Sequence, residues 1–269
     1  MMTNRKHLFL AGKCILVSLA LLFATACKDD QEDASVEQLM EKAYAAAHEG
    51  QWQDALKITE QAYTQRPDDT SVRLLHALAL ENNGRTNDAL EVSRLAAEDT
   101  KSFYAQYAYG RMLLQQKKFS QAQTYLKRAA ALKKDDFNTQ ILLQQAAAHL
   151  KQFRENPKLC ESLYKQYGGQ RGADFSAYIY NELALNILAQ KKLNGTMKRR
   201  LLAIFKLANK AVPSSPELAW NQAVYYDYYC KNFAEAKPFY EKFLSLTEKY
   251  SGMEKERTAV RERLYNAGK

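Results

Sequence analysis

A 34-residue period constrains this chain more than any other feature. Residues 36–69 run as a helix-patterned stretch, a turn at Glu49-Gly50-Gln51, a second such stretch and Pro67 as a stop. Placing Gly50 on Gly84 also places Ala43 on Ala77, Ala55 on Ala89 and Ala62 on Ala96, at an offset of 34 each time. A third unit from Phe103 brings Gly110, Phe119, Ala122 and Ala129 to the corresponding places at an offset of 33. Units of this length are supersecondary modules that bury their apolar faces only against their neighbours. The recurring small residues predict close crossings: Ala43 against Ala55 within a unit, and Ala62 where the next unit's first helix arrives. A larger side chain there forces the helices apart or costs about 1–3 kcal/mol in overpacking. Trp52 and Phe119, at the turns, are expected to fill the wedge between helices.

The pattern loosens after residue 136. Residues 137–169 offer Leu143, Phe153 and an Asn156-Pro157 helix start with Pro at a tolerated first-turn position, and Gly168-Gly169 is the expected stop. Residues 177–213 carry Tyr180, Leu183, Ala184, Phe205, Ala208 and Pro213, with about five extra residues in the turn LNGTMKRR. Trp220, Phe233, Ala236 and Tyr240 mark a clearer last unit. These spacings resemble the tetratricopeptide repeat, a helix-turn-helix unit of about 34 residues. The resemblance implies an all-α fold: a right-handed superhelical α-solenoid of about six such repeats over 36–251. Residues 252–269 then form a C-terminal capping helix with polar faces toward solvent. Composition agrees. Ten Gly and five Pro in 269 residues are well below average usage, which argues against a turn-rich all-β fold. With 46% apolar and 11% aromatic residues, the chain is neither wholly disordered nor collagen-like.

The first 26 residues read as an address. Arg5, Lys6 and Lys13 precede the apolar run Cys14–Ala26, and no acid occurs before Cys27. Thirteen residues rise about 20 Å as a helix, short of the ~30 Å bilayer core, which is the pattern of a secretory signal peptide. Ala24-Thr25-Ala26-Cys27 resembles a bacterial lipobox, with Ala24 where that motif usually has Leu. The resemblance implies an acylated Cys27 as the new N-terminus and an exported, membrane-anchored protein. Lys28 after the Cys points to the outer membrane, facing the periplasm. Residues 27–35 are read as an acidic, solvated tether. Cys160 and Cys230 remain, about two repeats apart and too distant for a disulfide; both are expected to be buried free thiols.

In tetratricopeptide-repeat proteins the first helix of each pair lines a concave groove. Carried onto this chain, that role falls to Tyr44, Tyr104, Tyr107, Arg111, Tyr178, Asn181, Asn221, Tyr225, Tyr228 and Tyr229. Tyrosine brings large area and one hydroxyl at little entropic cost; the competing role for each is packing between neighbouring helices. Charge is uneven. Residues 28–100 hold 7 basic and 16 acidic side chains, hence −9, and residues 101–269 hold 29 and 14, hence +15. The densest basic group is Lys191, Lys192, Lys198, Arg199 and Arg200, with Lys206 and Lys210 following. It suits an acidic partner or anionic headgroups, or simply a solvated face. Export argues against nucleic acid.

Nothing points to catalysis. His7 leaves with the signal, while His48, His76 and His149 fall in three different repeats, His76 at an apolar stacking position. There is no HExxH, Gly-rich phosphate loop, GxSxG elbow or Cys/His cluster of zinc spacing, so no cofactor and no metal is expected. The reading is a lipid-anchored scaffold in the bacterial envelope whose groove holds a protein or peptide. It broadly resembles repeat-bearing lipoproteins that assist outer-membrane protein assembly or type IV pilus assembly. The alternative is a surface glycan-binding lipoprotein, favoured by Tyr stacking, although such proteins are about twice as long and carry large inserts.

Overall fold

The computed structural model describes residues 31–152, 155–190 and 192–267. The signal segment, the lipidation candidate Cys27 and the basic residue Lys191 lie outside them. Among the described residues there are twelve helices and no strand, in a helix-turn-helix order. They divide into two compact units, one ending at Ala146 and one beginning at Ala147.

The first unit contains α1 (Gln31–His48), α2 (Trp52–Gln65), α3 (Thr70–Asn82), α4 (Thr86–Ala96), α5 (Phe103–Gln115) and α6 (Phe119–Leu132), and most of α7 (Phe137–His149). Consecutive helices pack as hairpins, and α1 also meets α3, as α3 meets α5, so first helices form one layer. Every small residue of the repeat is buried: Ala43, Ala55, Ala62, Ala77, Ala89, Ala96, Ala122 and Ala129. Ala43, Ala55 and Ala62 share a core with Val72, Leu75 and Ala79 of α3, and Trp52 packs on it. Phe119 packs in the same way on the cluster of Leu113, Leu126 and Leu142. Helix α1 begins at Gln31, inside the stretch expected to be a tether.

The turns inside the hairpins share one construction. Gln51 N–H bonds Ala46 C=O at 2.8 Å and Gly50 N–H bonds Ala47 C=O at 3.1 Å; the same pair of bonds recurs at Arg85/Gly84 and Lys118/Lys117. This is a Schellman C-cap, which needs a left-handed residue. Gly50 and Gly84 both take φ +78°, and Lys117 takes φ 59° without the help of glycine. The turns between hairpins are closed by side chains instead. Asp69 accepts from Ser71 N–H and Val72 N–H at 2.7 and 3.0 Å, Ser102 from Ala105 N–H at 3.3 Å, and Asp136 from Thr139 N–H at 2.8 Å. Each satisfies a donor that a helix start would otherwise leave unpaired.

The second unit contains α8 (Glu155–Leu188), α9 (Gly195–Ala211), α10 (Pro216–Val224), a π-helical turn (Tyr225–Tyr229), α11 (Phe233–Thr247) and α12 (Glu254–Ala267). Gly168-Gly169 do not stop the helix as the sequence suggested: α8 runs through both and breaks at Gly172, at φ 75° and ψ −166°. Only glycine visits that region readily, whereas two glycines in helical conformation merely weaken a helix. Lys151 and Lys231 take φ 54° and 55° at the ends of their helices. Helix α12 is the expected cap: Val260 and Arg257 are buried, Glu256 and Leu264 half-buried, and its other residues exposed. Arg257 donates to the carbonyls of Thr247 and Tyr250 at 2.5 and 2.6 Å, capping the end of α11. Cys160 is buried, but Cys230 is exposed, and among the described residues neither is in a disulfide; Cys230 directly follows the π-helical turn.

Candidate functional site

In the first unit the groove candidates lie on α1 (Tyr44) and α5 (Tyr104, Tyr107 and Arg111). Arg111 of α5 reaches α3 and grips the Glu81 carboxylate with both terminal nitrogens, one of them to Oε1 at 2.7 Å. Burial by itself opposes the charge on Arg111, and the Glu81 carboxylate outweighs it, holding the guanidinium above its ordinary pKa. The pair sits at a small crevice lined by Leu74, Ala77, Leu78 and Ala108. Among the described residues, buried Arg111 Nε has no hydrogen-bond partner. Tyr104 is half-buried against Leu74 and Ala108. Tyr107 departs from the expected groove role: at 4% exposure it belongs to the core with Leu113 and Leu142, its ring 5.9 Å from that of Phe103. Tyr44 is half-buried and its ring faces His48.

His76 is the satisfied core residue that its position suggested. Its Nδ1 shares a hydrogen bond with Thr59 Oγ1 at 3.1 Å, and that hydroxyl also lies 3.0 Å from the Leu56 carbonyl. The ring stacks on Tyr63 at 4.9 Å, and burial lowers its pKa.

In the second unit the structure brings two of the expected groove residues together. Asn221 Nδ2–H donates to Asn181 Oδ1 at 2.6 Å, and both side chains are buried. Tyr178 is half-buried, its ring facing Phe175 at 6.5 Å. The tyrosines of VYYDYYC separate. Tyr225 is 3% exposed and packs on Phe205; burial pushes its phenol up to about 12. It is a core residue, so the groove role does not hold there. Tyr228 is 64% exposed with the Lys231 ammonium 4.6 Å over its ring, and Tyr229 donates its hydroxyl to the Leu188 carbonyl. The cause is local: Cys230 N–H bonds the Tyr225 carbonyl at 3.1 Å, five residues back. One residue more per turn than an α-helix rotates every later side chain by about 100°.

Of the basic group, Lys192, Arg199 and Arg200 are exposed and Lys198 is half-buried. Arg200 pairs with Glu161 at 2.5 Å and Arg199 touches Thr196 Oγ1 at 3.4 Å. Sequence reasoning missed Glu81, whose partner sits 30 positions on, and missed Leu202 and Leu207, which α9 exposes among these bases. A helical wheel of 195–211 would have shown both leucines off the apolar stripe of Leu201, Ile204, Phe205 and Ala208. Asp227 was also missed. Two Arg263 nitrogens at 2.7 Å and then the Tyr240 hydroxyl hold its carboxyl below the usual range, against the effect of burial. Among the described residues no group of His, Cys, Asp and Glu is placed to hold a metal ion, and no helix is long and apolar enough to cross a membrane.

These hairpins, with small residues at each crossing, define a helical-repeat protein, and solved structures give its class. The chain is similar to PilF of Pseudomonas aeruginosa at TM-score 0.59 and 14% identity, over 89% of this chain and 100% of that one. It is similar to YrrB, described as a tetratricopeptide-repeat protein with an unusual peptide-binding site, at 0.54 and 16%, over 71% and 93%. A MamA structure matches at 0.55 and 19%, over 65% and 96%. The fold is that of the tetratricopeptide-repeat proteins. No family model matches the sequence, and no curated protein does.

Proposed function

We propose that this chain is a lipid-anchored scaffold of the bacterial cell envelope that binds a protein or peptide and takes part in assembling an envelope complex. The binding face is the layer of first helices, the basic cluster of α9 is a second, charge-selective contact, and Cys27 carries the acyl anchor. One observation carries the reading. Arg111 and Glu81 form a two-point ion pair in a small, largely apolar crevice on that layer. The Glu81 carboxylate keeps 17% side-chain exposure there, so a partner's N–H can meet a charge whose position is already fixed by Arg111. The peptide-binding site described for YrrB, a protein of the same fold, supports a peptide or protein as the occupant. Half-buried Tyr104, on the same helix as Arg111, supplies aromatic area of the kind that dominates such interfaces.

Photo-crosslinking in cells tests this. A crosslinkable residue at Tyr104 is expected to capture one stoichiometric envelope protein, and Leu78→Glu, which fills the crevice with charge, is expected to abolish capture. Signal on a glycan array with no captured protein would instead support the surface glycan-binding reading.

A further inference from the structure

We propose that the outward face of α9 is a second membrane contact, resting on anionic phospholipid headgroups; this deepens the anchored-scaffold reading and rests on it. Helix α9 has two faces. Leu201, Ile204, Phe205 and Ala208 are buried against the second unit. Arg199, Leu202, Lys206, Leu207 and Lys210 recur at helical spacings on the other side, and all are exposed. Leu202 is 42% and Leu207 54% exposed, where a solvent-facing stripe would ordinarily be polar. The helix sequence GTMKRRLLAIFKLANKA contains five basic residues and no acidic one.

Leucines between long basic side chains suit one environment in particular. Their tips can enter the boundary between headgroups and acyl chains, while lysine and arginine stems extend along them and place their charges at lipid phosphates. From Arg199 to Lys210 the face is about 16 Å long, spanning several headgroups. Charge complementarity favours the bilayer over a protein groove. Juxtamembrane basic clusters are drawn to anionic leaflets, and a chain acylated at Cys27 keeps such a surface permanently within reach.

The full chain, reconstituted into vesicles of phosphatidylcholine alone or with about 30% phosphatidylglycerol, is labelled with an amine-reactive reagent and read by mass spectrometry. Labelling of Lys206 and Lys210 is expected to slow about tenfold on the anionic vesicles relative to Lys57 and Lys237, and to recover near 0.5 M salt, where the Debye length falls to a few Å. Leu202→Asp with Leu207→Asp, or Arg199→Glu with Lys206→Glu, should remove the protection; all four positions are exposed, so the fold is retained. Equal labelling on both vesicles, protection on phosphatidylcholine alone, or protection that arises only when the crosslinked protein is added would each overturn the proposal. The mass of the peptide bearing Cys27 reports acylation separately, so failure of the anchor and failure of the α9 contact are distinguishable.

Discussion

Gly110 holds the place that Ala43 and Ala77 hold in the two preceding repeats, and the spacing to Leu126 gives the reason. A Cβ at Gly110 would lie 2.8 Å from Leu126 Cγ and 3.2 Å from the Leu126 backbone nitrogen. Gly110→Ala is therefore expected to lower stability by about 1–3 kcal/mol, read as a lower urea midpoint. The opposite sign is expected at Lys117, which occupies a left-handed conformation without the freedom of glycine. Lys117→Gly should stabilise by about 0.5–1 kcal/mol, the relief of the left-handed penalty less the extra backbone entropy of glycine. The alanines were legible because steric exclusion acts on residue size at a fixed spacing. Lys117 was not, since the backbone bonds that impose its conformation leave no mark on residue type.

At the scale of elements, the ion pair between α3 and α5 behaves as a unit. Arg111 and Glu81 have side-chain exposures of 8% and 17%, so removing one leaves the other poorly solvated. Arg111→Met or Glu81→Leu alone is expected to cost about 3–5 kcal/mol. The double variant should cost less than the sum and approach the parent, because two apolar side chains of similar volume fit among Leu74, Leu78 and Ala108. Chemical denaturation of all four proteins in a double-mutant cycle measures the difference. Additive losses would mean that the two charges are not coupled. The elements themselves followed from periodicity through α6, and failed where backbone geometry departs from it. The break in α8 falls at Gly172, beyond the Gly168-Gly169 pair, because a helix ends where its φ changes sign rather than at its first glycine. In VYYDYYC the π-helical turn inserts one residue, so equal spacing in the sequence is unequal rotation in space. Tyr225, at the start of that turn, keeps the buried side of the preceding helix, and Tyr228 beyond it turns into solvent.

For the whole molecule, membrane attachment is proposed to reside in one thiol, and its removal has a sharp consequence. Two or three acyl chains bind almost irreversibly, at about 0.8 kcal/mol per CH₂, so Cys27→Ser should move the protein from the membrane fraction to the soluble fraction. Cell fractionation with a wash near 0.5 M salt, which screens the basic α9 face, reads this out; retention in the membrane pellet after that wash would refute acyl anchoring. Hairpin order, the buried small residues and the uneven charge along the chain were determined by sequence alone, because nearest-neighbour packing repeats with the residues that make it. Which tyrosines face outward, that Arg111 is tied to Glu81, that Asn181 meets Asn221 and that α9 exposes two leucines among its bases were decided only by tertiary structure. Those outcomes depend on rotation about helix axes and on partners some 30 to 40 positions away, and a turn one residue too wide is enough to change them.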